Sequence, residues 1–259
     1  MRIVIKIGTS TLTHRTGQLN IRRTEELCRT ISDIKNRGDE VILVSSGAIA
    51  MGIGKLSLGE KPKDIATKQA AAAVGQCELM YTYDRLFLQY HHTVAQLLLT
   101  GSDLKNEERH ENFARTMSRL LELKTIPIIN ENDTIATEEI KVGDNDTLSA
   151  LVAVSVHADL LILLSDIDGL YTADPHTDPT ATLIRRVPKL SDEILALGGC
   201  AGALGTGGMK TKLAAAKICT EGGCDMIIAN GTRPSVLYNI LDGTDTPSTV
   251  FVAGKEASV

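Results

Sequence analysis

The chain has 259 residues, with 32 acidic against 27 basic side chains and a formal net charge of −5. No long basic run offsets this balance, which argues against nucleic-acid binding, because a polyphosphate strand needs a basic face. Aromatic residues make up 3% and tryptophan is absent, so stacking platforms for bases or sugars are not expected.

The N-terminus reads as a strand over residues 3–7, not as a signal peptide. Further candidate strands lie at 40–44, 93–98, 126–129, 160–164 and 226–229; most are continuous apolar runs, as expected for strands buried on both faces of a parallel sheet. Between them lie segments of helical period at 21–37, 64–89, 106–122, 146–157, 191–197, 209–221 and 235–242. Gly, Pro and Asp cluster at 13–19, 52–62, 166–181 and 198–208, which are expected as loops. A last short strand and a frayed tail are expected within 246–259. This alternation predicts a single α/β domain over 1–259, a three-layer αβα sandwich around a mainly parallel sheet with right-handed crossovers. No apolar stretch reaches the ~18 residues of a membrane span. Cys28, Cys77, Cys200, Cys219 and Cys224 form no CxxC pair and are expected as buried free thiols in a reducing compartment, so the chain reads as cytoplasmic.

In such sheets ligands bind at the carboxyl ends of the strands. Four predicted ends carry polar or glycine residues: Lys6-Ile7-Gly8-Thr9-Ser10, Ser45-Ser46-Gly47-Ala48, Asn130-Glu131-Asn132-Asp133 and Ser165-Asp166-Ile167-Asp168-Gly169. Lys6 either reaches a phosphate across the sheet edge or snorkels to solvent. The Ser45–Ala48 turn either offers backbone amides to an anion or simply caps a helix. Asn130, Asn132 and Asp133 can hold an amino acid's ammonium and carboxylate by directed hydrogen bonds, or build an Asx turn.

Lys141-Val142-Gly143-Asp144-Asn145-Asp146 places two carboxylates and an amide together before an apolar run. A helix N-cap accounts for one or two of these, but adjacent carboxylates repel unless a cation compensates, which favours a functional role. Gly205–Lys212 is not a Walker A loop, because Met209 stands where its last glycine belongs; glycines leading into Lys210-Thr211-Lys212 still make an anion site. His91-His92 lacks nearby metal-ligand partners, and His110-Glu111 does not form HExxH. Acidic loops beside a glycine–lysine loop suggest phosphate handling with a bridging metal.

The blocks MRIVIKIGTS, VSSGAIAMG, KQAAAAVGQ, PIINENDTIATEEIKVGDNDTLSA, LLSDIDGLYTADP and GTGGMKTKLAAA resemble, in order and spacing, the glutamate 5-kinases of the amino-acid kinase family. The resemblance spans nearly the whole chain and implies the amino-acid kinase fold. It implies ATP-dependent phosphorylation of the γ-carboxylate of L-glutamate, the first step of proline synthesis. Lys6 and Lys212 would stabilise the transferring phosphoryl group, with Asp146 orienting them. Ser46, Asp133 and Asn145 would hold glutamate, with Asn130 and Asp144 nearby. Ser165, Asp166, Thr206, Gly207, Gly208, Met209, Lys210, Thr211 and Lys212 would hold ATP, the half from about residue 160 being the nucleotide side. Magnesium would bridge the phosphates, with no protein ligand assigned to it. The resemblance further implies feedback by L-proline, a homo-oligomer (dimer or tetramer) and transfer of product to glutamyl-5-phosphate reductase, with no nucleic acid or membrane partner. The small residues 69–75 on the helix at 64–89 are expected to support the oligomer. Many members carry a C-terminal PUA domain, which this sequence is expected to lack. Another kinase of the same fold, or an inactive amino-acid sensor, are the rival readings.

Overall fold

The computed structural model describes residues 1–14, 16–59, 62–136, 145–175, 177–199 and 208–254. Strand β1 (Arg2–Ile7) organises the molecule. Its Ile3, Val4, Ile5 and Ile7 have no exposed surface, and each such aliphatic side chain contributes about 1.5–3 kcal/mol by leaving water. After β1 come α1 (Thr9–Leu12), α2 (Ile21–Asn36), β2 (Glu40–Val44), α3 (Ala48–Lys55), α4 (Ile65–Leu88) and β3 (Val94–Leu99). The chain continues through α5 (Glu107–Glu122), β4 (Ile126–Glu131), α6 (Asn145–Ser155), β5 (Leu160–Ser165) and β6 (Arg186–Val187). It ends with α7 (Asp192–Ala196), α8 (Met209–Glu221), β7 (Asp225–Asn230), α9 (Val236–Leu241) and β8 (Ser248–Phe251).

The strands form one sheet in the order β3-β4-β2-β1-β5-β7-β8-β6. The first six in that order run parallel. β8 returns antiparallel against β7, and β6 pairs in parallel with β8. Helices cover both faces, so the interior parallel strands β4, β2, β1, β5 and β7 are largely buried on each side and read as apolar runs, whereas the edge strand β3 is partly exposed and carries Gln96. On one face Ile3, Ile5 and Ile7 share a core with Leu27 of α2, Leu79 and Tyr83 of α4 and Leu237 of α9. On the other Val4 shares a core with Met117 of α5, Leu148 and Val152 of α6 and Leu213 of α8. Side chains alternate along a strand, so Lys6 projects to the Val4 face, towards α6 and α8.

The expected three-layer αβα sandwich is therefore present, and all six expected strands form, each within two residues of its predicted ends. The helix starts at Asp64, Asn106 and Ser191 are side-chain caps, accepting from the backbone N–H of Thr67, Arg109 and Ile194.

Three expectations need correction. Residues 52–55 are the end of α3, not the start of a loop. Two glycines in eight residues hide that helix from propensity, yet Gly52 is required by packing. A Cβ there would collide with the Ala71 carbonyl, and one on Gly75 with the Ala48 carbonyl. Ala48 and Gly52 on α3 thus cross Ala71 and Gly75 on α4 at backbone contact. Second, of the small residues expected to support an oligomer, Ala71 and Gly75 are taken up by this internal crossing, whereas Ala70 and Ala73 are exposed. Third, Cys77 is exposed, whereas Cys28, Cys219 and Cys224 are buried thiols as expected; Cys200 lies outside the described residues. No helix among the described residues is long and apolar enough to cross a membrane.

Candidate active site

The parallel strands β4, β2, β1 and β5 are neighbours, so their carboxyl ends line one edge of the sheet. Here β1 has β2 on one side and β5 on the other, and connections leave in opposite directions, which opens a crevice for ligands.

Asp146 lies in the first turn of α6 and is 1% exposed. Lys6 comes from β1, and its Nζ is 2.6 Å from Asp146 Oδ1. Lys212 comes from the first turn of α8, and its Nζ donates to Asp146 Oδ2 at 3.0 Å. Thr211 donates its hydroxyl to the same Oδ2 at 2.9 Å. Both lysines are buried, so the choice between phosphate reach and snorkelling is decided against solvent. Burial pushes the Asp146 carboxyl up, but the two ammonium groups outweigh it and bring its pKa down to about 2. Two of these three groups are ammonium groups, and at low dielectric each interacts strongly with an anion brought near it.

Beside them runs a chain of amides. Asn145 donates from Nδ2 to the Ser46 hydroxyl at 2.7 Å, to the Ser45 carbonyl at 3.0 Å and to Asn130 Oδ1 at 3.2 Å. Asn130 in turn donates from Nδ2 to Gln76 Oε1 at 2.8 Å. Ser45 exchanges a hydrogen bond with Tyr83 at 2.9 Å, anchoring the turn to the core. Gly47 makes that turn possible with φ +99, a left-handed conformation that costs other residues dearly. Buried without a partner among the described residues are Asn145 Oδ1 and Gln76 Nε2. Such groups cost about 1–3 kcal/mol each when unpaired, so they mark where a ligand's polar atoms belong.

Asp133 is half-buried in the turn after β4, on the same edge. On the β5 side, Ser165 donates to Asp166 Oδ1 at 3.1 Å, and Asp166 is exposed. Asp168 accepts from Asn230 Nδ2 at 2.9 Å and from the Tyr171 hydroxyl at 3.2 Å, bracing that loop. Gly208 precedes α8 without a side-chain cap, leaving the amides of Met209 and Lys210 at an open, dipole-positive helix end.

The crevice thus gathers Lys6, Ser46, Asn130, Asn145, Asp146, Thr211 and Lys212 by direct contacts, with Asp133, Ser165, Asp166, Gly208, Met209 and Lys210 at the strand and helix ends around them. The predicted Asp144, Thr206 and Gly207 lie outside the described residues. Sequence reading missed Gln76, a mid-helix residue whose role depends on the α3–α4 crossing. It also missed the Thr211 contact to Asp146 and the Ser45 carbonyl contact to Asn145.

The profile of the Amino acid kinase family matches residues 1–230. A "Glutamate 5-kinase" from Clostridium perfringens (strain 13 / Type A) is 53% identical over 259 residues, covering 98% of this chain and 96% of that protein. One from Clostridium acetobutylicum is 54% identical over 252 residues, covering 97% and 94%. A third, from a Thermoanaerobacter species (strain X514), is 50% identical, and the match spans 100% of this chain but 70% of that protein. Among solved structures, UMP kinase from Ureaplasma parvum superimposes with TM-score 0.67 at 15% identity, covering 97% of this chain and 98% of that one. An isopentenyl phosphate kinase gives TM-score 0.65 at 15% identity, covering 96% and 99%. These two likenesses establish the shared fold. The chain belongs to the amino acid kinase family and, within it, to the glutamate 5-kinases.

Proposed function

We propose that the chain transfers the γ-phosphoryl group of ATP to the γ-carboxylate of L-glutamate, giving L-glutamyl 5-phosphate and ADP, the first step of proline biosynthesis. The observation that carries this reading is the pair of buried lysines held on one aspartate, Lys6 and Lys212 on Asp146.

The chemistry asks for little beyond positioning and charge. A carboxylate is already a sufficient nucleophile and needs no base. A γ-carboxylate oxygen attacks the γ-phosphorus, the bond to the bridging β,γ-oxygen breaks, and ADP leaves with the electron pair. The difficulty is bringing one anion onto another. Lys6 and Lys212 neutralise the charge on the transferring group, and Asp146 holds both ammonium groups in place between reactions. Ser46, Asn130, Asp133, Asn145 and Asp144 hold glutamate on the side of β2 and β4. Ser165, Asp166 and the Thr206–Lys212 stretch, with Gly207, Gly208, Met209, Lys210 and Thr211, hold ATP on the side of β5 and α8. This division makes the part from about residue 160 the nucleotide half of one domain. Among the described residues no group of three His, Cys, Asp or Glu could cage a metal. Magnesium would come with the nucleotide, with no protein ligand assigned to it, and would withdraw charge from the phosphates.

A cytoplasmic setting suits this substrate pair, and the acyl phosphate product, being labile to water, suits direct transfer to glutamyl-5-phosphate reductase. Assembly as a dimer or tetramer is supported by the outward face of α4, where Tyr81 and Leu88 are 61% and 63% exposed; light scattering that finds a monomer at micromolar concentration overturns it.

A coupled ADP-release assay over a panel of small acids tests the activity. Turnover is expected with L-glutamate and magnesium-ATP. Turnover with another acid or a phosphorylated acceptor, and none with glutamate, refutes the substrate. Absence of ADP release with every acid refutes the kinase in favour of a sensor.

A further inference from the structure

The amides beside the lysine pair have a direction, and two backbone groups set it. The Ser45 carbonyl can only accept, so the Asn145 atom 3.0 Å from it is the amide nitrogen. The Glu131 N–H can only donate, so the Asn130 atom 2.9 Å from it is the carbonyl oxygen. Asn130 must therefore turn its nitrogen to Gln76, which accepts through Oε1. That leaves Gln76 Nε2 at the end of the chain, buried and without an acceptor among the described residues. Gln76 is 8% exposed, so bulk solvent has little access to it. At the other end Asn145 Oδ1 is a buried acceptor without a donor. An open acceptor and an open donor, separated by one asparagine, complement the ammonium and carboxylate of an amino acid.

The backbone is built to place Gln76 here. Gly75 lies against the Ala48 carbonyl, where no side chain fits. That crossing draws α4 onto the Ser45–Gly47 turn and carries the next residue, Gln76, to Asn130.

We propose that Gln76 reads the substrate, donating from Nε2 to the α-carboxylate of the bound amino acid. This rests on the reading that glutamate occupies the Ser46–Asn130–Asn145 side of the crevice. The order of groups selects the carboxylate. Transfer requires the γ-carboxylate at the lysines around Asp146. Asn145 adjoins Asp146 in the chain and donates to Asn130, which donates to Gln76, so Gln76 ends the series at the far end from the lysines. The α-carbon end of the substrate belongs there.

Gln76→Glu tests this by keeping an acceptor for Asn130 while replacing the donor with a carboxylate oxygen. The KM for L-glutamate is expected to rise roughly 10–100-fold, the loss of one hydrogen bond to a charged group. The KM for ATP is expected to stay within about twofold of wild type. The inhibition constant of 4-aminobutyrate, which lacks the α-carboxylate, should move less than about threefold. Gln76→Met, which neither donates nor repels, should show the same selectivity in case the first variant folds poorly. Equal losses for L-glutamate and 4-aminobutyrate overturn the proposal, since Gln76 then only orients Asn130; an unmoved KM for L-glutamate overturns it as well. Failure of the underlying reading is distinct, because Asn145→Ala and Asp133→Ala then also leave the KM for L-glutamate unmoved.

Discussion

Asp146 has almost no contact with water, yet it stays ionised because ammonium groups face both its oxygens. A carboxyl held at about 2 against an ordinary 3.8 stabilises the fold above pH 3.8, and that contribution is lost as pH falls towards 2. Asp146 therefore adds no ionisation to the rate profile near neutrality. Asp146→Asn should remove this acid-side dependence and leave two buried ammonium groups in mutual repulsion. A loss of about 3–5 kcal/mol is expected, read as a lowered urea midpoint; an unshifted midpoint contradicts the pairing. Lys6→Met and Lys212→Met keep the stems but remove one charge each. Each should fold, by circular dichroism, and lose on the order of 10²–10³ in kcat. Near-normal kcat in either variant excludes that lysine from phosphoryl transfer. Lys6 and Asp146 drew notice in the sequence because a lysine inside an apolar strand and paired acids before a helix are locally costly, but their roles, and that of Lys212, were implied only by the family resemblance. Gln76 was not legible, because a glutamine on a helix breaks no local rule and gains meaning only from what crosses it.

At the scale of elements, the strands were readable because burial on both faces erases alternation and leaves plain apolar runs. The seven expected helices were readable from period and caps, with Asp64, Asn106 and Ser191 at their starts. α3 was not, since Gly52 and Gly54 argue locally for a loop while a tertiary contact demands a helix. β6 is only two residues long and carries no pattern of its own. The α3–α4 crossing makes its own prediction. Gly75→Ala drives a Cβ into the Ala48 carbonyl, which belongs to backbone and cannot rotate away. Overpacking of this kind costs typically about 1–3 kcal/mol. Chemical denaturation should show that loss, and because the crossing also seats Gln76, the KM for L-glutamate should rise with it. A variant as stable as wild type shows that the helices can separate freely.

Over the whole molecule, the proposed division of the site into an amino-acid side and a nucleotide side predicts that the two respond separately to small ligands. L-Proline offers an α-carboxylate and a charged amine but no γ-carboxylate, so it can fill the amino-acid side without supplying a nucleophile. Inhibition should be competitive with glutamate and not with ATP, and should weaken in Asp133→Ala. Millimolar proline that leaves the rate at sub-saturating glutamate unchanged shows that this feedback is absent. The sheet order carries a further consequence, for synthesis on the ribosome. β8 lies between β7 and β6, and the Ala253 N–H reaches Asp225 at 2.8 Å. Strands β3, β4, β2 and β1 find every partner among the strands up to β5 while the C-terminal third is still being made, and β5 then lacks only β7. β6 has none until residues 250 and 251 emerge. The β3 to β5 part of the sheet can thus form on the nascent chain, whereas its β7-β8-β6 side closes only after residues 250 and 251 have emerged.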